Sequence, residues 1–229
     1  SSRYSFRLIA EDEIKILKSN KCFIDENAII YVSEKFIPNN IFNSYFFGIN
    51  FIGTFLEKAK IEENLFIPSG IYNSTINNTV ILDNSLLYNC NIISNAFIME
   101  NCHIISCLEI IGKNNCSFGN CENIIVGSES GGREIFSFSE MNNEIAKTII
   151  LNRENKNLLN DYSNFIYNYK TKITSDYTVI CENSIIKNSK KIIGTLFHSN
   201  SIIDNICFIS NSTILSNQIE ITKILNGSF

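Results

Sequence analysis

From Val80 onward the chain places an apolar residue at every sixth position: Val80, Leu86, Ile92, Ile98, Ile104, Ile110 and Cys116. Three residues after each stand Asp83, Asn89, Asn95, Asn101, Cys107, Lys113 and Gly119, followed by Asn84, Cys90, Ala96, Cys102, Leu108, Asn114 and Asn120. The unit reads apolar, x, x, Asn, small, x. It returns at Ile173, Val179 and Ile185 with Asp176, Glu182 and Asn188. After a one-residue slip it continues at Leu196, Ile202, Phe208 and Ile214 with Ser199, Asn205, Asn211 and Asn217. A chain with 43 Ile matches aliphatic templates by accident, so the amide position carries the test. Asn and Asp total 40 of 229 residues, which by chance places roughly two or three of them at the fourteen fourth positions. Nine are found there, so the period is not a product of composition.

A fixed period of six redefines the fold. It is what a triangular parallel β-helix requires, with short strands on three faces and each aliphatic stacked inside on its copy one coil below. Asn suits the corners because it tolerates left-handed backbone and bonds to local main chain. Three units make a coil. The pattern therefore predicts a mainly β fold with a first β-helix block over 61–130 and a second over 173–229.

Between the blocks the period changes. After Gly131-Gly132-Arg133, Ser139 stands where it can cap a helix carrying Met141, Ile145 and Ile149. A second helix follows through Leu158, Leu159, Tyr162, Phe165, Ile166 and Tyr169. Residues 131–172 are expected to form a helical hairpin inserted into the β-helix, lying against one face or making an oligomer contact. Upstream, Glu11 to Leu17 suggests a short helix and Phe36 to Phe55 reads as aromatic strand. Residues 1–60 are expected to cap the lowest coil, whose strand edges would otherwise stay unpaired.

Charge and composition narrow the function classes. The net charge of -4 and the presence of only four Arg argue against nucleic-acid binding through phosphate neutralisation. No apolar run approaches the ~20 residues of a membrane-spanning helix, and the N-terminus has no apolar stretch of signal-peptide length. These features point to a cytoplasmic protein. The eight Cys read as reduced, buried thiols, because a chain of this length and apolarity needs no disulfide staples. The spacing Cys102-x4-Cys107-x8-Cys116-x4-Cys121 lacks the short paired loops of structural zinc sites.

The repeat is similar to the left-handed β-helix of hexapeptide-repeat transferases. Those usually carry Gly, Asp or Asn directly after the aliphatic, where this chain has Ile81, Leu87, Ile93, Met99, Ile105 and Ile111. Four further stretches run in order along nearly the whole chain: Tyr4 to Cys22, Pro68-Ser69-Gly70-Ile71-Tyr72-Asn73, Ser117-Phe118-Gly119-Asn120 and Gly131-Gly132-Arg133-Glu134. They resemble a family of bacterial hexapeptide-repeat proteins, some described as related to UDP-N-acetylglucosamine pyrophosphorylase. Members of that family continue past the point where Phe229 ends, so the chain reads as a truncated piece or a short relative. The resemblance implies left-handed coiling, a homo-oligomer such as a trimer, and a link to nucleotide-sugar ligands. For the transferase class it also implies a His general base and an acyl donor, acetyl-CoA or another acyl-CoA, bound between subunits.

Two His are present, so His103 and His198 are the candidate bases; near-neutral titration suits deprotonation of a hydroxyl or amine. Each also has a structural reading, His103 beside the interior Ile104 and His198 beside the corner Ser199. Tyr72, Asn73, Asn120 and Arg133 are the candidate ligand-binding residues. Arg133 follows two glycines and precedes a helix, a setting that suits a phosphate or simply turns the chain. No Walker loop, Ser-His-Asp set or dinucleotide fingerprint occurs, and the nucleotidyltransferase module of a pyrophosphorylase is missing. The reading favoured by the sequence is a non-catalytic structural, oligomerising or small-molecule-binding module without cofactor; the alternative is a His-dependent acyltransferase.

Overall fold

In the computed structural model, which describes residues 4–125 and 134–226, short strands pair in parallel and fall into three ladders that the chain visits in rotation. The first ladder stacks Phe23–Ile24, Tyr45–Phe47, Thr75–Asn77, Ile92–Ser94 and Glu109–Ile111, then the leading halves of Lys191–Phe197 and Phe208–Ile214. The second stacks Ile29–Ser33, Ile49–Ile52, Val80–Ile81, Ala96–Ile98 and Thr178–Ile180, then the trailing halves of the same two long strands. The third runs Ile41–Phe42, Gly70–Tyr72, Leu86–Tyr88, His103–Ile105, Ile185–Lys187, Ile202–Asp204 and Lys223–Leu225. The long strands join the first two ladders into one curled, mostly parallel sheet.

The core is the inward row of each ladder: Ile76, Ile93, Ile110 and Ile192 on the first, Ile81, Ile98, Ile180 and Phe197 on the second, Ile71, Leu87, Ile104 and Ile186 on the third. All are fully buried in one cluster. Burying an aliphatic side chain of this size contributes about 1.5–3 kcal/mol. The inward residues are not those of the strict six-residue step throughout. Val80 and Ile92 are half-buried, and Ile81 and Ile93 point inside. The cause is a short corner: the step from Ile93 to Ile98 is five residues, so a regular coil holds 17, as the pairs Ile81 with Ile98, Leu87 with Ile104 and Ile93 with Ile110 record. The same short corner produces the apparent slip between Ile185 and Leu196. Ile81, Leu87 and Ile93, each directly after the six-residue position, are themselves the rungs.

Asn turns the corners. Among the described residues, 14 of the 18 non-glycine residues with left-handed φ are Asn, so the Asn content of these segments answers a backbone requirement. Asn89, Asn95 and Asn101 have φ of 55°, 50° and 56°. Inside one corner a small side chain follows the turn on several coils, whereas Ile206 takes that place after Asn205. Ser44, Ser74 and Ser189 hydroxyls donate to the carbonyls of Phe42, Tyr72 and Lys187, and the Cys90 and Cys107 thiols make the longer equivalent contacts to Tyr88 and Ile105. These thiols are buried and act as small apolar side chains. Among the described residues all eight Cys are free, six of them buried.

Three excursions leave the winding. Phe6–Leu8 adds an antiparallel strand beside Ile29–Ser33 and leads into helix α1, Glu11–Ser19. The helix is fixed by the fork of Arg7 to Glu13, at 2.8 and 2.6 Å, and places Leu17 in the core cluster. An antiparallel hairpin, Lys58–Glu62 with Leu65–Pro68, leaves the corner between the second and third ladders. The longest excursion begins after Ile111 and ends at Thr178. It carries helices α2, Asn143–Leu151, and α3, Lys156–Ile173.

The helix cap is Asn142, whose side chain accepts from the Ile145 amide at 3.0 Å, and not Ser139, whose hydroxyl donates to Asn120 instead. Asp, Asn and Ser are similar in capping strength, so position relative to the first turn decides between them. Ile173, which the repeat marks as a rung, closes α3, and Cys116 makes an isolated antiparallel bridge to Ser175. Gly194, at φ +51°, leaves the space that the Cys116 thiol occupies, because a Cβ there would lie 2.7 Å from Sγ.

Candidate functional site

The corner between the second and third ladders stacks polar residues coil upon coil. Asp83-Asn84, Glu100-Asn101 and Glu182-Asn183 occupy equivalent places on successive coils, with Asn at left-handed φ in each. Adjacent coils in such a ladder lie about 4.8 Å apart, so three carboxylates come to share one edge. Ser33, Glu34 and Lys35 from the end of a lower strand and Tyr4 from the N-terminal segment complete a cleft of about 500 Å³.

Its walls are held by hydrogen bonds to the same acids. Asp83 Oδ1 accepts from the Thr54 amide at 2.7 Å, Glu182 Oε2 from the Ser199 hydroxyl at 2.7 Å, and Glu100 from the Tyr4 hydroxyl. Ser33 and Thr54 hydroxyls share a bond of 2.6 Å. Among the described residues, Glu34, Asp83, Glu100 and Glu182 line the cleft together with Lys35. Among the described residues no three His, Cys, Asp or Glu side chains converge as metal ligands.

The residues singled out from the sequence lie elsewhere. His103 is on the third ladder between Leu86 and Ile185. Its Nδ1 is buried with no hydrogen-bond partner. Burial, and secondarily the Lys187 charge, hold its pKa below the ordinary value. The hairpin is tied to this same ladder, since Lys187 Nζ donates to the Ile61 carbonyl at 2.9 Å and the Tyr72 hydroxyl to that of Pro68 at 3.2 Å.

His198 sits at a corner two coils above, where its backbone carbonyl accepts from the Ser184 and Ser201 hydroxyls at 3.2 and 2.6 Å. Tyr72 is sandwiched between Phe42 and Tyr88, with ring centroids 6.0 and 6.1 Å away, and burial raises its phenol pKa. Asn73 stands at φ 49° in an amide ladder, accepting from Asn43 and donating to Asn89 at 2.9 Å each.

Asn120 is buried and committed to the excursion: its amide donates to the Ser117 carbonyl and to Thr213, and its oxygen accepts from Ser139. It borders a separate pocket of about 390 Å³ at Asn211 to Thr213. Arg133 lies outside the described residues. Of the five that are described, Tyr72 and Asn73 are neighbours, and none lines the acid cleft.

Sequence reasoning passed over Glu34, Lys35, Tyr4 and Glu100. The available signal was the 17-residue step from Asp83 to Glu100, which repeats an acid at one corner.

A family model described as "Domain of unknown function (DUF4954)" matches residues 6–228. An "Uncharacterized protein" of Treponema pallidum (strain Nichols) is 25% identical over 237 residues, covering 97% of this chain and 32% of its own length. The chain thus spans about a third of that relative. No solved structure matches. Among the described residues no helix is long and apolar enough to cross a membrane.

Proposed function

The chain belongs to the DUF4954 family, and from its geometry we propose that it is a left-handed parallel β-helix of the hexapeptide-repeat kind, acting as a non-catalytic structural module that assembles with copies of itself or supports a partner. Three ladders visited in rotation, with an aliphatic rung on each and Asn at the corners, support the β-helix. The handedness rests on the resemblance to hexapeptide-repeat proteins.

One observation carries the choice of a scaffold over a transferase. The two imidazoles that could act as bases lie two coils apart, His103 on a strand of the third ladder and His198 at a corner, and His103 has its Nδ1 enclosed and bound to no orienting group. A general base works when one nitrogen faces the acceptor and the other is oriented by a partner. At Nδ1 His103 has no orienting partner.

Acetyl-CoA consumption across a panel of amino sugars tests this, run beside light scattering of the same sample. The scaffold reading expects no turnover above the rate without protein and a single defined assembly. Turnover that disappears in His103→Ala or His198→Ala would establish the acyltransferase instead.

The acid cleft favours a second reading, binding of a small molecule at the corner of Asp83, Glu100 and Glu182. Among its described residues, Glu34, Asp83 and Glu182 against Lys35 favour a cation or a neutral polyol over a nucleotide sugar. Titration with spermidine and with UDP-N-acetylglucosamine, followed by calorimetry, separates the two: heat with the polyamine alone supports the cleft, and heat with the nucleotide sugar alone refutes it.

A further inference from the structure

Helices α2 and α3 leave a groove of about 460 Å³ between them. Its apolar surface comes from Phe138, Ile145, Tyr162 and Phe165. The floor is aromatic: the Phe138 and Phe165 rings meet edge to face at 5.1 Å, and Tyr169 packs on both. The Tyr162 hydroxyl donates to the Phe136 carbonyl, which fixes one wall.

The described rim carries acids. Glu144 on α2 and Asp161 on α3 border the groove, both exposed, and among the described residues that line it there is no Lys or Arg. Phe165 is 44% exposed, although it sits beside an apolar cluster. A groove of this volume accepts a few large side chains and not a folded domain.

We propose that the groove docks a basic amphipathic peptide segment of a partner protein, which seats apolar side chains between the helices and faces Lys or Arg toward Glu144 and Asp161. The apolar floor supplies affinity, and the carboxylates on opposite walls set the charge and register of the segment. This goes beyond the scaffold reading and stands without it, since a catalytic chain could carry the same groove.

The probe is a fluorescein-labelled peptide of Leu and Lys at helical spacing, about four turns long, with a twin in which Glu replaces Lys. Anisotropy is read against the full 229-residue chain, the doubly reversed variant Glu144→Lys/Asp161→Lys, and Ile145→Asp. The Lys peptide should bind the native chain saturably, and charge reversal should weaken it about tenfold and make the Glu peptide the better ligand. Ile145→Asp should abolish binding of both.

Both reversed positions are exposed, so that variant keeps its fold and decides the matter even if Ile145→Asp unfolds the hairpin. Equal binding of the Lys peptide to native and reversed chains would mean attraction to net charge alone and would overturn the proposal. So would failure to saturate, or uptake of an apolar dye by a groove that binds neither peptide.

Discussion

Ile93 stacks directly under Ile110 in parallel register, seventeen residues away in the chain, and both side chains are fully buried. That relationship repeats on all three ladders and makes each inward aliphatic a shared contact between coils. Truncating Ile93 or Ile104 to Ala should therefore cost about 2–5 kcal/mol, because the rungs above and below keep the cavity from collapsing. Ile92→Ala, at a half-buried outward position, should cost less than half as much. Urea denaturation midpoints would check this, and equal losses at Ile92 and Ile93 would place the rung wrongly.

The corners make a different demand. Asn73 has φ 49° and is bonded to Asn43 and Asn89 on either side. Asn73→Val should destabilise by roughly 2 kcal/mol or more, since a β-branched residue resists left-handed backbone and the amide ladder is broken. Asn73→Gly keeps the conformation and loses only the ladder, so it should be the milder change. Thermal unfolding of the two variants side by side gives the order; a reversed order would mean that this corner is not left-handed.

His103 gives the fold a pH dependence. Its folded pKa lies below the ordinary 6.5, chiefly through burial and then through Lys187. As pH falls the unfolded chain takes up this proton first, which favours unfolding. Stability from this group is complete above pH 6.5, erodes from there toward the folded pKa, and changes no further below it. Urea midpoints between about pH 8 and pH 5.5 should fall for the wild type and fall less for His103→Gln. The window avoids Glu13, whose bond to Arg7 lowers its pKa below 4.5 and so delays its loss to more acid solution. Parallel profiles for the two proteins would show that His103 is solvated.

Thiol reactivity reports burial directly. Cys207 is exposed, Cys181 is half-buried with its pKa pushed to about 11, and Cys102 is enclosed and pushed to about 12, both mainly by burial. Iodoacetamide at pH 8 should modify Cys207 first, and six of the eight thiols only after denaturation, because reaction needs an accessible thiolate. Peptide mass spectrometry after timed quenching would resolve the order. Early modification of Cys90 or Cys102 would contradict the packing of the corners.

The six-residue period, the aliphatic stacking and the Asn corners were legible because each coil repeats one physical problem at a near-constant interval. The five-residue corner was not, since Val80 beside Ile81 and Ile92 beside Ile93 are both aliphatic pairs and leave the phase uncertain by one residue. The lower coils were hidden for another reason. Phe46 replaces an aliphatic rung, and the hairpin of Lys58 to Pro68 breaks the interval. The acid cleft was harder still: Tyr4, Glu34 and Asp83 are distant in sequence, and the excursion after Ile111 puts Glu182 far from Glu100 although the two share a corner. His103 looked chemically apt from residue type alone, and only the coordinates reveal that its ring nitrogen is enclosed.

A crystal structure of the chain tests the winding most directly. The account expects Ile93 and Ile110, Ile81 and Ile98, and Leu87 and Ile104 to be parallel neighbours about 4.8 Å apart, with Asn95 and Asn101 at positive φ between them. Strands from these segments paired antiparallel in a meander, or Ile98 and Ile104 on a helix, would contradict it.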